Sequence, residues 1–136
     1  MTLASSTYVV LDTSIVSLFI RERAQAEYYR AQIANRHLAL SFQTVEELWH
    51  GAYHANWGEV RQDELAQQLG YYEIIWPNSR LVDICARLRA ERKRAGRELG
   101  IADAWIAATA LMLNCPLATA DRDFINIPGL RLIQAA

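Results

Sequence analysis

Short apolar runs alternate along the chain with longer helical patterns. Tyr8-Val9-Val10-Leu11 is a continuous run with β-branched residues, the pattern of a strand buried on both faces. Asp12-Thr13-Ser14 ends it with side chains suited to cap a following helix. Arg23 to Asn35 predicts an Ala-rich helix, and His37 to Ser41 a second strand. The helical pattern from Gln43 to about Ala55 stops at Asn56-Trp57-Gly58, and a polar helix runs from Glu59 to Leu69. Tyr71 to Trp76 predicts a third strand, stopped by Pro77. Asn78 or Ser79 is placed to cap a long helix reaching about Arg94. Gly96 and Gly100 bracket a loop, and Ile101 to Leu113 is a very apolar helix ended by Asn114-Cys115-Pro116. Leu117-Ala118-Thr119 is a short strand, Asp121 opens a turn, and Leu130 to Ile133 predicts a last, edge strand.

Short apolar strands separated by helices imply a parallel sheet covered on both faces. The expected fold is α/β, a three-layer α/β/α sandwich around a central, mainly parallel sheet of four to five strands. A chain of 136 residues with no repeat or linker is expected to form one domain over 1–136. At 52% hydrophobic and 21% charged residues the composition excludes disorder. The longest apolar stretch, Tyr8 to Ile20, carries Asp12 and is too short to span a bilayer. No basic segment precedes it as a secretory signal requires, so no membrane association is expected. Cys85 and Cys115 sit in apolar contexts without metal-ligand spacing, which reads as two core thiols of a reduced, cytoplasmic protein. The net charge of −1 excludes a strongly basic coat for nucleic acid. The basic residues nevertheless cluster, with Arg87, Arg89, Arg92, Lys93, Arg94 and Arg97 in one segment.

In a parallel α/β sheet, ligands bind beyond the carboxyl ends of the strands. Acids occur where that rule directs attention. Asp12 follows Leu11 directly, Glu46 and Glu47 lie in the first turns of the helix after the second strand, and Asp121 comes two residues after Thr119. Asp103 opens the apolar helix, sharing a face with Ile106, Ala107 and Ala110. A lone carboxylate on such a face is costly unless paired or bound to a metal. Carboxylates gathered at one end of the sheet repel one another unless a cation offsets their charge. Oxygen ligands without cysteine favour a hard ion, Mg²⁺ or Mn²⁺, and such an ion serves in-line attack on a phosphodiester. Taken singly, each acid also has a structural reading. Asp12 caps a helix, Glu46 and Glu47 face solvent, and Asp121 starts a turn.

Four segments in order, Val10-Leu11-Asp12-Thr13-Ser14, Thr44-Val45-Glu46-Glu47-Leu48-Trp49-His50-Gly51, Ile101-Ala102-Asp103-Ala104-Trp105-Ile106-Ala107-Ala108-Thr109-Ala110 and Leu117-Ala118-Thr119-Ala120-Asp121-Arg122-Asp123-Phe124, resemble those of a PIN domain. The closest likeness is to the toxin nucleases of VapC-type toxin–antitoxin pairs, over nearly the whole chain. The resemblance implies an endoribonuclease that cleaves RNA with a metal-activated water and leaves 5′-phosphate and 3′-hydroxyl ends. It maps the acidic quartet onto Asp12, Glu47, Asp103 and Asp121, with Glu46 and Asp123 as substitutes for the second and fourth acids. Asp12 and Asp103 become the central ligands of one or two Mg²⁺ or Mn²⁺ ions, with Glu47 and Asp121 completing the site directly or through water. Thr13, Ser14 and Thr119 line the pocket as hydroxyls behind those ligands.

The resemblance also implies a homodimer and a VapB-like antitoxin whose tail lies in an apolar groove. Trp49, Tyr53 and Trp57, four apart and expected on one helix face, are the partner-interface candidates, with core packing as the alternative. The basic run reads either as a solvated helix face, with Glu91 and Glu98 interleaved, or as a track for an RNA backbone through Arg89, Arg92, Lys93 and Arg97. Glu47-x-x-His50 is half of a di-iron motif, but no second copy exists. Two further readings stand beside the toxin: a housekeeping RNA-processing nuclease of the same fold and a catalytically silent binding module. A haloacid dehalogenase-type phosphotransfer site would want an Asp where the chain has Ser14.

Overall fold

The structure is a computed structural model that describes residues 7–135. The expectation that no secretory leader precedes Tyr8 concerns residues 1–6, which lie outside the described residues.

The elements follow the chain as β1 (Tyr8–Leu11), α1 (Thr13–Ile20), α2 (Ala26–Ile33), β2 (His37–Ser41), α3 (Phe42–His54), α4 (Glu59–Leu69), β3 (Glu73–Ile75), α5 (Ser79–Arg94), α6 (Ile101–Leu113), β4 (Leu117–Ala118) and β5 (Leu132–Ile133). The strands form one five-stranded sheet in the order β3-β2-β1-β4-β5. Every pairing is parallel. The chain fills the sheet outward from β1 to β3, then crosses to lay β4 and β5 on the other side. The order therefore reverses at β1, which makes the gap between β1 and β4 the switch point where such sheets bind ligands.

Alternation along the strands builds the three layers. Val10, Ala39, Ile75 and Leu117 face one way, onto Leu81, Cys85 and Leu88 of α5 and Ala104, Ala107 and Ala108 of α6. Val9, Leu11, Leu40 and Ala118 face the other way, onto Ile15 and Val16 of α1 and Tyr29 and Ile33 of α2. The small alanines of α6 let that helix lie close on the sheet, with Ala104, Ala107, Ala108 and Ala110 fully buried. Both cysteines are buried and free. Among the described residues no helix is long and apolar enough to cross a membrane.

Caps set several boundaries. Asp12 caps α1, Ser41 caps α3 and Asn78 caps α5 by accepting from Leu81 N at 2.8 Å. Asn114 ends α6 in the left-handed conformation that Asn tolerates. Other boundaries differ from the expected ones. The helix expected from Arg23 to Asn35 is confined to α2, because Ala34 is extended and Asn35 has φ 65°. The strand expected over Tyr71–Trp76 shortens to Glu73–Ile75, and the last strand begins at Leu132 instead of Leu130. Thr119 lies past the end of β4, with its side chain free for another task. Trp57 is not on the helix of Trp49 and Tyr53: α3 ends at His54, and Asn56 turns the chain with φ 56°.

Candidate functional site

Asp12 leaves β1 at the centre of the sheet and is 4% exposed. Burial raises its carboxyl above the ordinary range, and the Asp121 charge adds to the rise. Three hydrogen bonds oppose this. The Thr13 backbone N–H donates to Oδ1, and the Ser14 and Thr119 hydroxyls donate to Oδ2, each at 2.8 Å. Both lone pairs of Oδ2 are thereby used, and one on Oδ1 remains open for a cation.

The loop after β4 is tied to the same carboxylate. Thr119 Oγ1 accepts from Asp121 N at 2.9 Å while donating to Asp12, and Ser14 Oγ accepts from Ala120 N at 3.1 Å. Asp121 caps the short 3-10 turn Arg122–Phe124 through Asp123 N, at 2.9 Å. The turn delivers Asp121 and Asp123 to Asp103, in the first turn of α6. One carboxylate oxygen from each of the three lies within 4.8 Å of the others.

Asp103 is half-buried, and its carboxyl is pushed up to about 6. Burial is the largest cause, followed by the charges of Asp12, Asp121, Asp123 and Glu47. Glu47, on α3, is raised first by burial and then by the Asp12 and Glu46 charges, against the opposing hydrogen bond from Thr13. Thr13 Oγ1 stands 3.3 Å from Glu47 Oε1 and 3.0 Å from Thr44 Oγ1. Thr44, fully buried one turn before Glu47 on the same helix, was not anticipated; its i, i+3 spacing to Glu47 is the sequence signal that points to it.

The donor set fits a hard divalent cation. It offers carboxylate and hydroxyl oxygens only, and the gathered charge raises the proton affinity of Asp12, Glu47 and Asp103, the condition a cation relieves. Of the expected quartet, Asp103 and Asp121 approach each other directly, and the charges of Asp12 and Glu47 also act on Asp103. Asp123, expected only as a substitute, stands beside Asp103 and Asp121. Glu46 is exposed, and its Oε1 accepts a long 3.5 Å hydrogen bond from Gln43 Nε2.

The metal-free protein should therefore lose stability as pH rises. Asp103 binds its proton more tightly folded than unfolded, so its contribution is full below the ordinary carboxylate pKa and is lost as pH passes about 6. Melting in EDTA should show Tm falling between about pH 4 and about pH 6, and Mg²⁺ should reverse the fall. A flat profile in EDTA would contradict the crowding of charge.

The remaining candidates divide. Arg89, Lys93 and Arg97 are exposed, but Arg92 departs from the expected solvated face. It is 9% exposed, and its guanidinium donates to the Asn126 carbonyl at 3.0 Å, bracing the loop beyond the acids. Arg97 and Arg92 line a cleft of 520 Å³ with Asp103, Asp123 and Arg122. Trp49 and Tyr53 stack with centroids 5.6 Å apart, and Tyr53 is 60% exposed, so core packing does not explain this pair. Trp57 sits under the Arg61 guanidinium, 3.9 Å from the ring centroid. His50 and His54 are exposed and stack on each other. A cavity of 760 Å³ lies at the opposite end of the sheet, where His37 and Glu73 begin β2 and β3, and none of the clustered acids lines it.

A parallel sheet with an acidic pocket at its switch point defines the class, and the PIN domain model matches residues 9–130. The chain belongs to the PIN domain family. Its relatives narrow the likeness. Ribonuclease VapC1 of Haemophilus influenzae (strain R2866) is 31% identical over 127 residues, covering 90% of this chain and 93% of the relative. Ribonuclease VapC5 of Mycobacterium tuberculosis (strain ATCC 25618 / H37Rv) is 31% identical over 127 residues, covering 92% and 91%. Among solved structures, VapBC2 from Rickettsia felis, bound to a DNA fragment from its promoter, superposes with a TM-score of 0.84 at 26% identity, covering 95% of this chain and 99% of that one.

Proposed function

We propose that the chain is a metal-dependent endoribonuclease, the toxin of a VapBC-type toxin–antitoxin pair. One observation carries the reading: Asp103, Asp121 and Asp123 converge beside Asp12 and Glu47 at the carboxyl ends of β1 and β4. Asp103, Asp121 and Asp123 would hold the ion, with the open lone pair of Asp12 completing the set. The chemistry that bound Mg²⁺ or Mn²⁺ supplies, as one ion or two, is offset of charge on the phosphodiester and activation of the attacking water. Glu47, with its pKa raised by burial, is suited to accept a proton from that water. Thr13, Ser14 and Thr119 keep the carboxylates aimed. In this reading residues 1–136 form one nuclease domain that works in the cytoplasm, where RNA is available and Cys85 and Cys115 stay reduced.

Exposed Arg89, Lys93 and Arg97 serve the RNA backbone, and binding should weaken with salt. A cleft of 550 Å³ runs from Glu47 past Leu48 and Ala52 to Trp57 and Arg61. Ile20, Leu48, Ala52 and Leu65 among its lining suit apolar side chains of an antitoxin tail, Arg21, Arg23 and Arg61 suit acidic ones, and its end at Glu47 suits a cationic group. The Trp49–Tyr53 stack, half-buried at Trp49 and exposed at Tyr53, suits a homodimer or antitoxin surface. Incubation of the protein with RNA and Mg²⁺ tests the reading: internal cuts are expected, and intact RNA would overturn it. Trp49→Ala combined with Tyr53→Ala should weaken dimer or antitoxin binding, followed by analytical ultracentrifugation, while Tm stays within a few degrees. Unchanged assembly would remove the pair from the interface.

A further inference from the structure

Tyr29, on α2, is 1% exposed, and its ring packs in the core layer with Ile33 and Ala118. Its hydroxyl reaches the edge of the sheet. It donates to the Thr119 carbonyl at 2.8 Å and accepts from the Ala135 backbone N–H at 3.1 Å. Those two backbone groups are the next rung of the β4–β5 ladder. Leu117 N donates to Arg131 O and Thr119 N to Ile133 O, so an unbroken parallel ladder would next pair Ala135 N–H with the Thr119 carbonyl. The Tyr29 hydroxyl occupies that rung and splays the strands at the residue whose side chain serves the acids. Thr119 Oγ1 holds Asp12 and receives Asp121 N. A second brace acts just beyond, where Gln134 Nε2 donates to the Asp121 carbonyl at 2.9 Å.

We propose that Tyr29 is a positioning residue for the acidic pocket, acting through the backbone of Thr119. The inference rests on the nuclease reading above and adds to it a residue with no contact to the pocket acids' carboxylates. Without the hydroxyl, Ala135 N–H and the Thr119 carbonyl are free to close their own rung. That closure keeps the backbone satisfied and draws Thr119 towards β5, away from Asp12.

Tyr29→Phe tests this, because the ring and its packing are kept. Mn²⁺ binding is measured by calorimetry without RNA, kcat and KM on a short RNA, and Tm in EDTA. The variant should fold, bind Mn²⁺ about 10-fold more weakly and lose about 10-fold in kcat with KM unchanged, as outer supports of metal ligands do. Thr119→Val should lower Mn²⁺ affinity in the same way, and the double variant should be little worse than Thr119→Val alone. Wild-type Mn²⁺ affinity and kcat in Tyr29→Phe, multiplying effects in the double variant, or an unfolded Tyr29→Phe protein would each overturn the role of Tyr29. A wild-type protein that binds no Mn²⁺ would instead overturn the nuclease reading, and this inference with it.

Discussion

Replacing Asp103 with Asn should lower RNA cleavage about a thousandfold and leave the metal-free protein at least as stable as the parent above pH 6. The two effects share one cause. Asp103 is half-buried and faces the charges of Asp12, Asp121, Asp123 and Glu47, which is why its carboxyl is pushed up to about 6. An uncharged amide removes that repulsion and also removes a cation ligand. A loss of about 4 kcal/mol in transition-state stabilisation corresponds to about a thousandfold in rate. Asp12→Asn should abolish cleavage too, but with a cost in stability. Asp12 accepts from Thr13 N, Ser14 and Thr119, and Thr119 already accepts from Asp121 N. An Asn amide cannot accept all three bonds, so a donor in a buried site loses its partner, at about 1–3 kcal/mol. Steady-state cleavage together with urea unfolding in EDTA separates the variants. Asp103→Asn with parental activity, or Asp12→Asn with parental stability, would contradict the assigned arrangement.

Removal of divalent ions should stop cleavage completely and reversibly. Asp12, Glu47, Asp121 and Asp123 all bring negative charge to Asp103, and this cluster repels a phosphodiester until a cation offsets it. EDTA should therefore weaken RNA binding as well as chemistry, and Mg²⁺ or Mn²⁺ should restore both. The ion should also raise Tm most at neutral pH, where the acids are ionised. Cleavage that persists in EDTA would show that the carboxylates work without a cation.

The sheet was legible in the sequence because its strands are short apolar runs interrupted by helical patterns, and a run such as Val9–Leu11 has few other uses. The three layers followed, and so did Asp12, which stands where the central strand must end. Boundaries were less legible where a single backbone conformation decides them. Asn35 and Asn56 turn the chain with positive φ; the sequence marked a stop at Asn56-Trp57-Gly58, but the four-residue spacing of Trp49, Tyr53 and Trp57 carried the helix face past it. That is why Trp57 read as a helix neighbour of Tyr53. Arg92 looked solvated because its neighbours are charged, but it lies on the same helix face as Leu81, Cys85 and Leu88, at spacings of four, three and four. The place of Asp123 depends on the short turn Arg122–Phe124, which carries it to Asp103. Tyr29 lies 90 residues from Thr119, beyond the reach of any local pattern.

The most direct test is to read the ends of the RNA fragments the purified protein makes with Mn²⁺. Attack by water at a cation-bearing pocket is expected to give fragments that ligate through a 5′-phosphate, from the wild type and not from Asp103→Asn. Fragments ending in a 2′,3′-cyclic phosphate, or equal yields from the two proteins, would contradict the account.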